Sequence, residues 1–392
     1  MFGSFIFLQS FFLYFAGMNS STNLINTKPH YQILDGLRGV AAVIVVLFHI
    51  LEAHALGKRE EQIINHGYLA VDFFFLLSGF VISYAYDDRW NKMTLKGFFL
   101  RRIIRLHPMI IIGSLIGALL FYFQDSAALG MNTRDVSVGS MLIVMLIGCT
   151  LFPVGKSLDI RGWNEMHPLN GPAWSLFFEY IANITYALVL RHLSNVILFI
   201  LAIGAACFTL HHLLTHPNGD MIGGWTIDSP EQLKIGFTRL AYPFLAGILL
   251  ARLVKLKPIH NAFPITAIFL AILLAMPRIG VKGEAWQNGL YDALCILILF
   301  PLIIWLGAGG HVKGKKSQKF CKFMGDISYP IYITHYPLIY TYTAWVANGD
   351  RTLGQFWLYG TLTFVGSVMV AYVAMRWYDI PVREWLRKRF LV

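Results

Sequence analysis

The sequence predicts an all-α fold, a polytopic transmembrane helix bundle with about 10 crossings, and three observations predict it. Of 392 residues, 56% are hydrophobic and 14% charged, whereas a soluble domain carries roughly 25% charged residues; mean hydropathy is +0.58. With so little charge, most of the outer surface has to face something other than water. Several apolar runs approach the roughly 20 residues that a helix needs to cross a bilayer. Finally, the net charge of +11 sits in short segments between apolar runs, a pattern that orients a chain in a membrane. Nucleic acid is therefore not an expected partner; the lipid bilayer is.

From the N-terminus, residues 2–17 are apolar but lack a positively charged n-region, so they do not read as a secretory signal peptide. They are an interfacial helix, an extra span, or the product of a start misassigned upstream of Met18, the last being the expectation. Residues 1–30 are read as an N-terminal extension, 31–385 as one membrane domain, and 386–392 as a short basic cytoplasmic tail. Candidate spans fall near 38–56, 67–86, 108–123, 138–153, 173–191, 195–214, 236–254, 262–279, 289–308, 327–346 and 355–378. The four cysteines, Cys149, Cys207, Cys295 and Cys321, show no metal-ligand or redox spacing, and no metal is expected.

Orientation follows from the basic segments. The loop with Arg89, Lys92, Lys96, Arg101, Arg102 and Arg105, the loop with Lys313 to Lys322, and the tail with Arg383 to Arg389 all read as cytoplasmic. Counting back from the tail puts 252–260 inside and 154–172 outside, which conflicts with the basic loop at 87–106 if all eleven candidates cross. One of the short pair 108–123 and 138–153 is expected to fail, leaving ten crossings with both termini cytoplasmic. A reporter fused after Val392 is expected to map to the cytoplasm; an external location refutes this topology.

Polar groups inside spans are costly and point to function. Arg38 and His49 are eleven residues apart, nearly three helical turns, so they share one stripe about 16 Å apart along the axis. Asp35 stands where an N-cap belongs and also pairs with Arg38. Arg38 read alone is a snorkelling anchor; His49, among VIVVLF and ILEA, reads as a general base. In FFLRRIIRLHP, Arg102 and Arg105 face the same way with Arg101 beside them; they suit a phosphate-bearing ligand, although topology alone would also place them there. Pro108 suits the first turn of the next helix. In PAWSLFFEY, Ser175 and Glu179 share a face beside Trp174, fitting either a sugar site or a structural ion pair. In SYPIYITHYP, Tyr329, Tyr332 and His335 share a broad face. VDFFFLLSGF offers Asp72, with Ser78-Gly79 permitting close helix packing.

Taken together, LDGLRG with the Arg38–His49 pair, FFFLLSGF, RRIIR, WSLFFE, SYPIYITHYP and DIPVREWL resemble the acyltransferase-3 family of bacterial membrane O-acyltransferases over about residues 31 to 385. The resemblance implies an inner-membrane enzyme taking acetyl, sometimes a longer acyl group, from coenzyme A to glycans such as lipopolysaccharide or exopolysaccharide. Arg38 and His49 match the family's essential arginine and histidine, and Arg102 and Arg105 its R-x-x-R. Asp379 replaces the usual glutamate before Ile-Pro. With no esterase-like SGNH domain after Val392, hand-over to a soluble partner is not expected.

Acetyl-CoA is expected to be held by Arg102, Arg105, Arg101 and Arg38, and catalysis to rest on His49 with Arg38 and Glu179. A carbohydrate or glycolipid acceptor would meet Trp174, Ser175, Tyr329, Tyr332, His335 and Asp72. Transfer is either direct or through an acyl-enzyme on His49 or Ser175. A transporter or flippase is the alternative class; it predicts inverted repeats or broken helices, which the sequence does not show.

Overall fold

A computed structural model describes residues 28, 30–129, 133–253, 259–280 and 283–391. The chain divides into units 1–30 and 31–392, and the fold below is that of the second; the expectation for residues 2–17 lies outside the described residues. Eleven long helices carry the fold: α1 Gln32–His54, α2 Ala70–Tyr86, α3 Leu95–Phe123, α4 Val138–Thr150, α5 Ala173–Leu188, α6 Asn195–Thr215, α7 Pro230–Leu253, α8 Ala262–Ala275, α9 Ala285–Ala308, α10 Lys315–Ala347 and α11 Leu353–Phe390. Each of the eleven candidate spans falls largely on one of them, and no strand occurs among the described residues. Among the described residues, eight stretches are long and apolar enough to cross a membrane.

The helices run end to end in alternation, and contacts at their tips show which ends meet. At one end, Arg252 from the last turn of α7 bonds Asp87 beyond α2 at 2.7 Å, and Tyr186 of α5 donates to the same carboxylate at 2.6 Å. Ile259 pairs there with Gly309 after α9, and Arg383 and Asp379 of α11 share the field of Arg105. The basic segments assigned to the cytoplasm thus gather at one end of the bundle, the basic end. At the far end, His66 before α2 bonds the Met276 carbonyl after α8 and Asn288 of α9.

The exception is α4. Its 13 residues rise about 20 Å, short of a hydrocarbon core about 30 Å thick. It starts at the far end and stops where Gly148 lies against Ser114, partway along α3. The chain then turns back until Arg161 reaches Gln124, just past the far end of α3, and returns through Leu169 and Asn170 into α5. So α4, the connection and α5 make one passage between them. The short run 138–153 therefore does not traverse the bundle by itself.

Close packing needs small residues where helices cross. Gly79 of α2 faces the Phe244 carbonyl of α7, and Gly247 of α7 faces the Leu76 carbonyl of α2. A side chain at either would collide with backbone, so the small residue at 79 serves packing. The α1–α10 seam buries Ala42, Val46 and Ile50 against Ile327, Ile331 and Ile339. Apolar residues such as Phe199, Ile200 and Ile203 on α6 remain exposed, as on a lipid-facing surface.

Two local expectations are corrected. The basic loop ends at Thr94, whose side chain caps Gly97 N at 3.1 Å, so Lys96, Arg101, Arg102 and Arg105 are helical and Pro108 lies inside α3 rather than opening it. Asp35 is in the first turn of α1, behind the cap residue Tyr31. The basic tail is helical as far as Phe390, because α11 continues through a π-turn at Met375–Asp379.

Candidate active site

Two polar centres sit at opposite ends of one stripe on α1, and α10 runs beside both. At the far end, His49 Nδ1 lies 2.7 Å from Glu52 Oε2, one turn further along the helix. A carboxylate there accepts the Nδ1 proton, fixes the ring and leaves Nε2 as the free base. The ring meets Tyr336 edge-on at 4.7 Å and faces His335 at 5.6 Å. His335 is fully buried. Its Nδ1 bonds the Ile331 carbonyl at 3.0 Å, and its Nε2 has no partner among the described residues.

His49 and Glu52 line a cavity of about 610 Å³ with Trp163, Trp174, Tyr332 and Tyr336 among its aromatic walls. The volume lies in the range of small-molecule sites, roughly 300–1,000 Å³. Glu165 and Arg239 add polar groups to the wall. The segments at its rim, around Leu56, Ala128 and Ala347, all belong to the far end.

The basic end holds the arginines. Arg38 Nε donates to Ser328 Oγ at 2.9 Å, and its Nη2 donates to Asp35 at 3.0 Å and to the Gly325 carbonyl at 3.2 Å. Arg102 donates to Glu179 at 2.8 Å, and Ser78 donates to the same oxygen at 3.1 Å. Arg105 is exposed and lies in the field of Arg38, Arg102, Arg383 and Asp35. Arg383 pairs with Asp379 at 2.7 Å. The Nε atoms of Arg102 and Arg383 are buried without an acceptor among the described residues. Buried cationic donors left without an acceptor fit a polyanion such as a nucleotide phosphate.

The residues singled out in the sequence therefore divide. His49, Trp174 and Tyr332 reach the cavity; Arg38, Arg102 and Arg105 gather at the basic end. Tyr329 joins the latter, its hydroxyl on the Leu106 carbonyl at 2.6 Å. Arg101 turns back to the Gly97 carbonyl at 3.2 Å, because adjacent residues on a helix point apart. Glu179 faces Arg102, not the cavity lined by Trp174. Ser175 bonds Tyr332 at 2.7 Å, tying α5 to α10 between the two centres. Asp72 is fully buried in an ion pair with Arg239 at 2.8 Å; Arg239, not Asp72, reaches the cavity. Arg38 and His49 share a stripe as expected, and the cavity lined by His49 does not include Arg38 in its wall; the Ser175–Tyr332 bond joins α5 to α10 at a level of α10 between their partners Ser328 and His335.

Sequence reasoning passed over Glu52, Glu165 and Arg239. Glu52 was legible: it stands one turn from His49 in the same run. Arg239 was too, as a charge within an apolar span. Glu165 sits in a connection with no periodicity to place it.

A family described as an acyltransferase domain matches residues 31–376. Among curated proteins, the chain is 35% identical over 165 residues to protein 2 in the picA locus of Rhizobium radiobacter, covering 40% of this chain and 81% of that one. It is 24% identical over 378 residues to the peptidoglycan O-acetyltransferase OatA of Listeria monocytogenes, and 24% identical over 368 residues to the O-acetyltransferase OatA of Staphylococcus aureus. Those alignments cover 91% and 90% of this chain but only 56% and 57% of the two relatives. No solved structure matches.

Proposed function

The chain belongs to the acyltransferase-3 family, and on that premise we propose that it is a membrane O-acyltransferase moving an acyl group, acetyl first of all, from acyl-coenzyme A to a hydroxyl of a carbohydrate or glycosylated acceptor such as lipopolysaccharide or exopolysaccharide. The observation that carries this reading is the His49–Glu52 pair opening into an aromatic-walled cavity. Such walls suit sugars, whose C–H faces pack on rings, while the paired imidazole can take a hydroxyl proton.

Each residue then has a role. The donor supplies a thioester, an already activated acyl group. Arg102, Arg105 and Arg38 hold its phosphates at the basic end, with Arg383 added to the set, and Glu179 positions Arg102. Near the cavity, His49 Nε2 takes the proton of the attacking hydroxyl, and the resulting imidazolium, steadied by Glu52, returns it to the departing thiolate. The donor's acyl end has to reach past the Ser175–Tyr332 bridge to meet His49. Trp174 and Tyr332 line the acceptor's path. With the basic end at the cytoplasm, donor and acceptor approach from opposite faces of a bacterial inner membrane and both termini of the bundle lie inside.

Arg102→Ala is expected to raise the Kd for coenzyme A by about ten- to a hundredfold, the loss of charge-assisted hydrogen bonds, with thermal stability of the purified chain reported alongside. Transfer of labelled acetyl from coenzyme A to membrane glycan tests the reading as a whole. No label in glycan above membranes lacking the chain refutes it.

A further inference from the structure

We propose that Glu165, with Trp163 beside it, is an acceptor-positioning site that grips the hydroxyl neighbouring the one acylated, so that the acceptor is a sugar ring carrying vicinal hydroxyls. This rests on the acyltransferase reading above and names the chemistry its acceptor must have.

Glu165 lies on the connection between α4 and α5 and lines the same cavity as His49 and Glu52. Tyr340 donates its hydroxyl to Glu165 Oε2, and that hydroxyl accepts the Gly171 N–H at 3.0 Å. Oε1 receives no hydrogen bond among the described residues. A Cβ on Gly171 would stand 3.0 Å from Oε1 and 2.9 Å from the Tyr340 oxygen, so the wall closes this tightly only over glycine. Arg161 does not form an ion pair with Glu165: its Nε donates to the Pro168 carbonyl at 2.7 Å, another nitrogen donates to Gln124 at 3.1 Å, and its plane covers the Tyr340 ring at 3.5 Å. The Trp163 ring stands 5.5 Å from that of Tyr340. A buried carboxyl is thus held on one side and open to the cavity on the other.

The groups facing Glu165 are Arg161 and Asp159 on its own segment, Tyr340 and Tyr336 on α10, and Glu52, beside His49, on α1. Burial pushes its carboxyl up to about 8, against the opposing pull of Arg161. At pH 7 the group keeps its proton, and it becomes anionic as pH rises through 8. A neutral carboxyl both donates and accepts, which a hydroxyl next to the reacting one can answer in both senses. His49 activates one hydroxyl; Glu165 holds its neighbour.

The test uses the full chain in membranes with labelled acetyl-coenzyme A, counting label in glycan against label released as acetate to water. Glu165→Ala is expected to lower the ratio of transfer to hydrolysis about tenfold, the scale of one lost hydrogen bond in a buried site. Glu165→Gln, which mimics the protonated acid, restores the ratio to within about threefold at pH 7 and stays flat where the wild-type ratio falls through pH 8. Glu165→Ala with a wild-type ratio overturns the proposal, and so does Glu165→Gln as poor as Glu165→Ala. Wild-type membranes that neither transfer nor hydrolyse overturn the acyltransferase reading instead, and this inference with it. Infrared difference spectra need no acceptor. A protonated-acid carbonyl band should titrate away near pH 8 and be missing in Glu165→Gln; without that band in the wild type, the neutral carboxyl is refuted.

Discussion

His49→Ala is expected to reduce acyl transfer about 10²- to 10⁴-fold, the usual loss when a general base is removed, while the affinity for coenzyme A stays within about twofold. The split follows from where the groups lie. His49 stands in the far-end cavity, about 16 Å along α1 from Arg38, and Arg38, Arg102 and Arg105 are not among the residues of its wall. Binding of the nucleotide portion and activation of the hydroxyl therefore depend on different side chains. Glu52→Gln should cost less than His49→Ala, since it keeps the ring in place but removes the charge that steadies the imidazolium. Measuring transfer, coenzyme A affinity and melting temperature on the same preparations separates chemistry from folding. If His49→Ala loses donor affinity and stability together, the imidazole is a packing group and not a base.

Much of the bundle was legible because the membrane leaves few choices. Backbone groups in hydrocarbon must bond within helices, so an apolar run of the right length is almost a structural statement by itself. The expected failure of one short span came from charge bookkeeping, and α4 is, with α8, one of two short apolar helices among the described residues. What could not be read was direction within the helix face. Arg101, Arg102 and Arg105 stand together in the sequence, yet Arg101 bonds its own helix while Arg102 finds Glu179 on α5. Likewise Tyr329, Tyr332 and His335 read as one stripe, but 33 residues of α10 span both centres and distribute the stripe between them. Tyr329 faces the arginines, Tyr332 the cavity, His335 the His49 ring. Pairings across the bundle leave no periodic trace, which is why Glu179 with Arg102 and Asp72 with Arg239 emerged only with the fold.

The second of those pairings carries the largest stability effect. Asp72→Ala is expected to destabilise the chain by about 3–5 kcal/mol, the cost of stripping one partner from a buried ion pair. Asp72 is fully buried and Arg239 nearly so. Without the carboxylate, Arg239 keeps its bond to the Tyr68 carbonyl at 2.6 Å and its place over the Trp174 ring at 5.1 Å, but it becomes an uncompensated charge in the bundle. The double variant Asp72→Ala/Arg239→Met should recover most of the loss, because an apolar replacement of a whole buried pair is often neutral or stabilising. Thermal unfolding of the detergent-solubilised chain reads both changes. Comparable destabilisation of the single and double variants would place the cost in a packing defect at position 72. Recovery of stability without recovery of transfer would instead assign Arg239 a part in binding the acceptor, since it is the member of the pair that lines the cavity with His49.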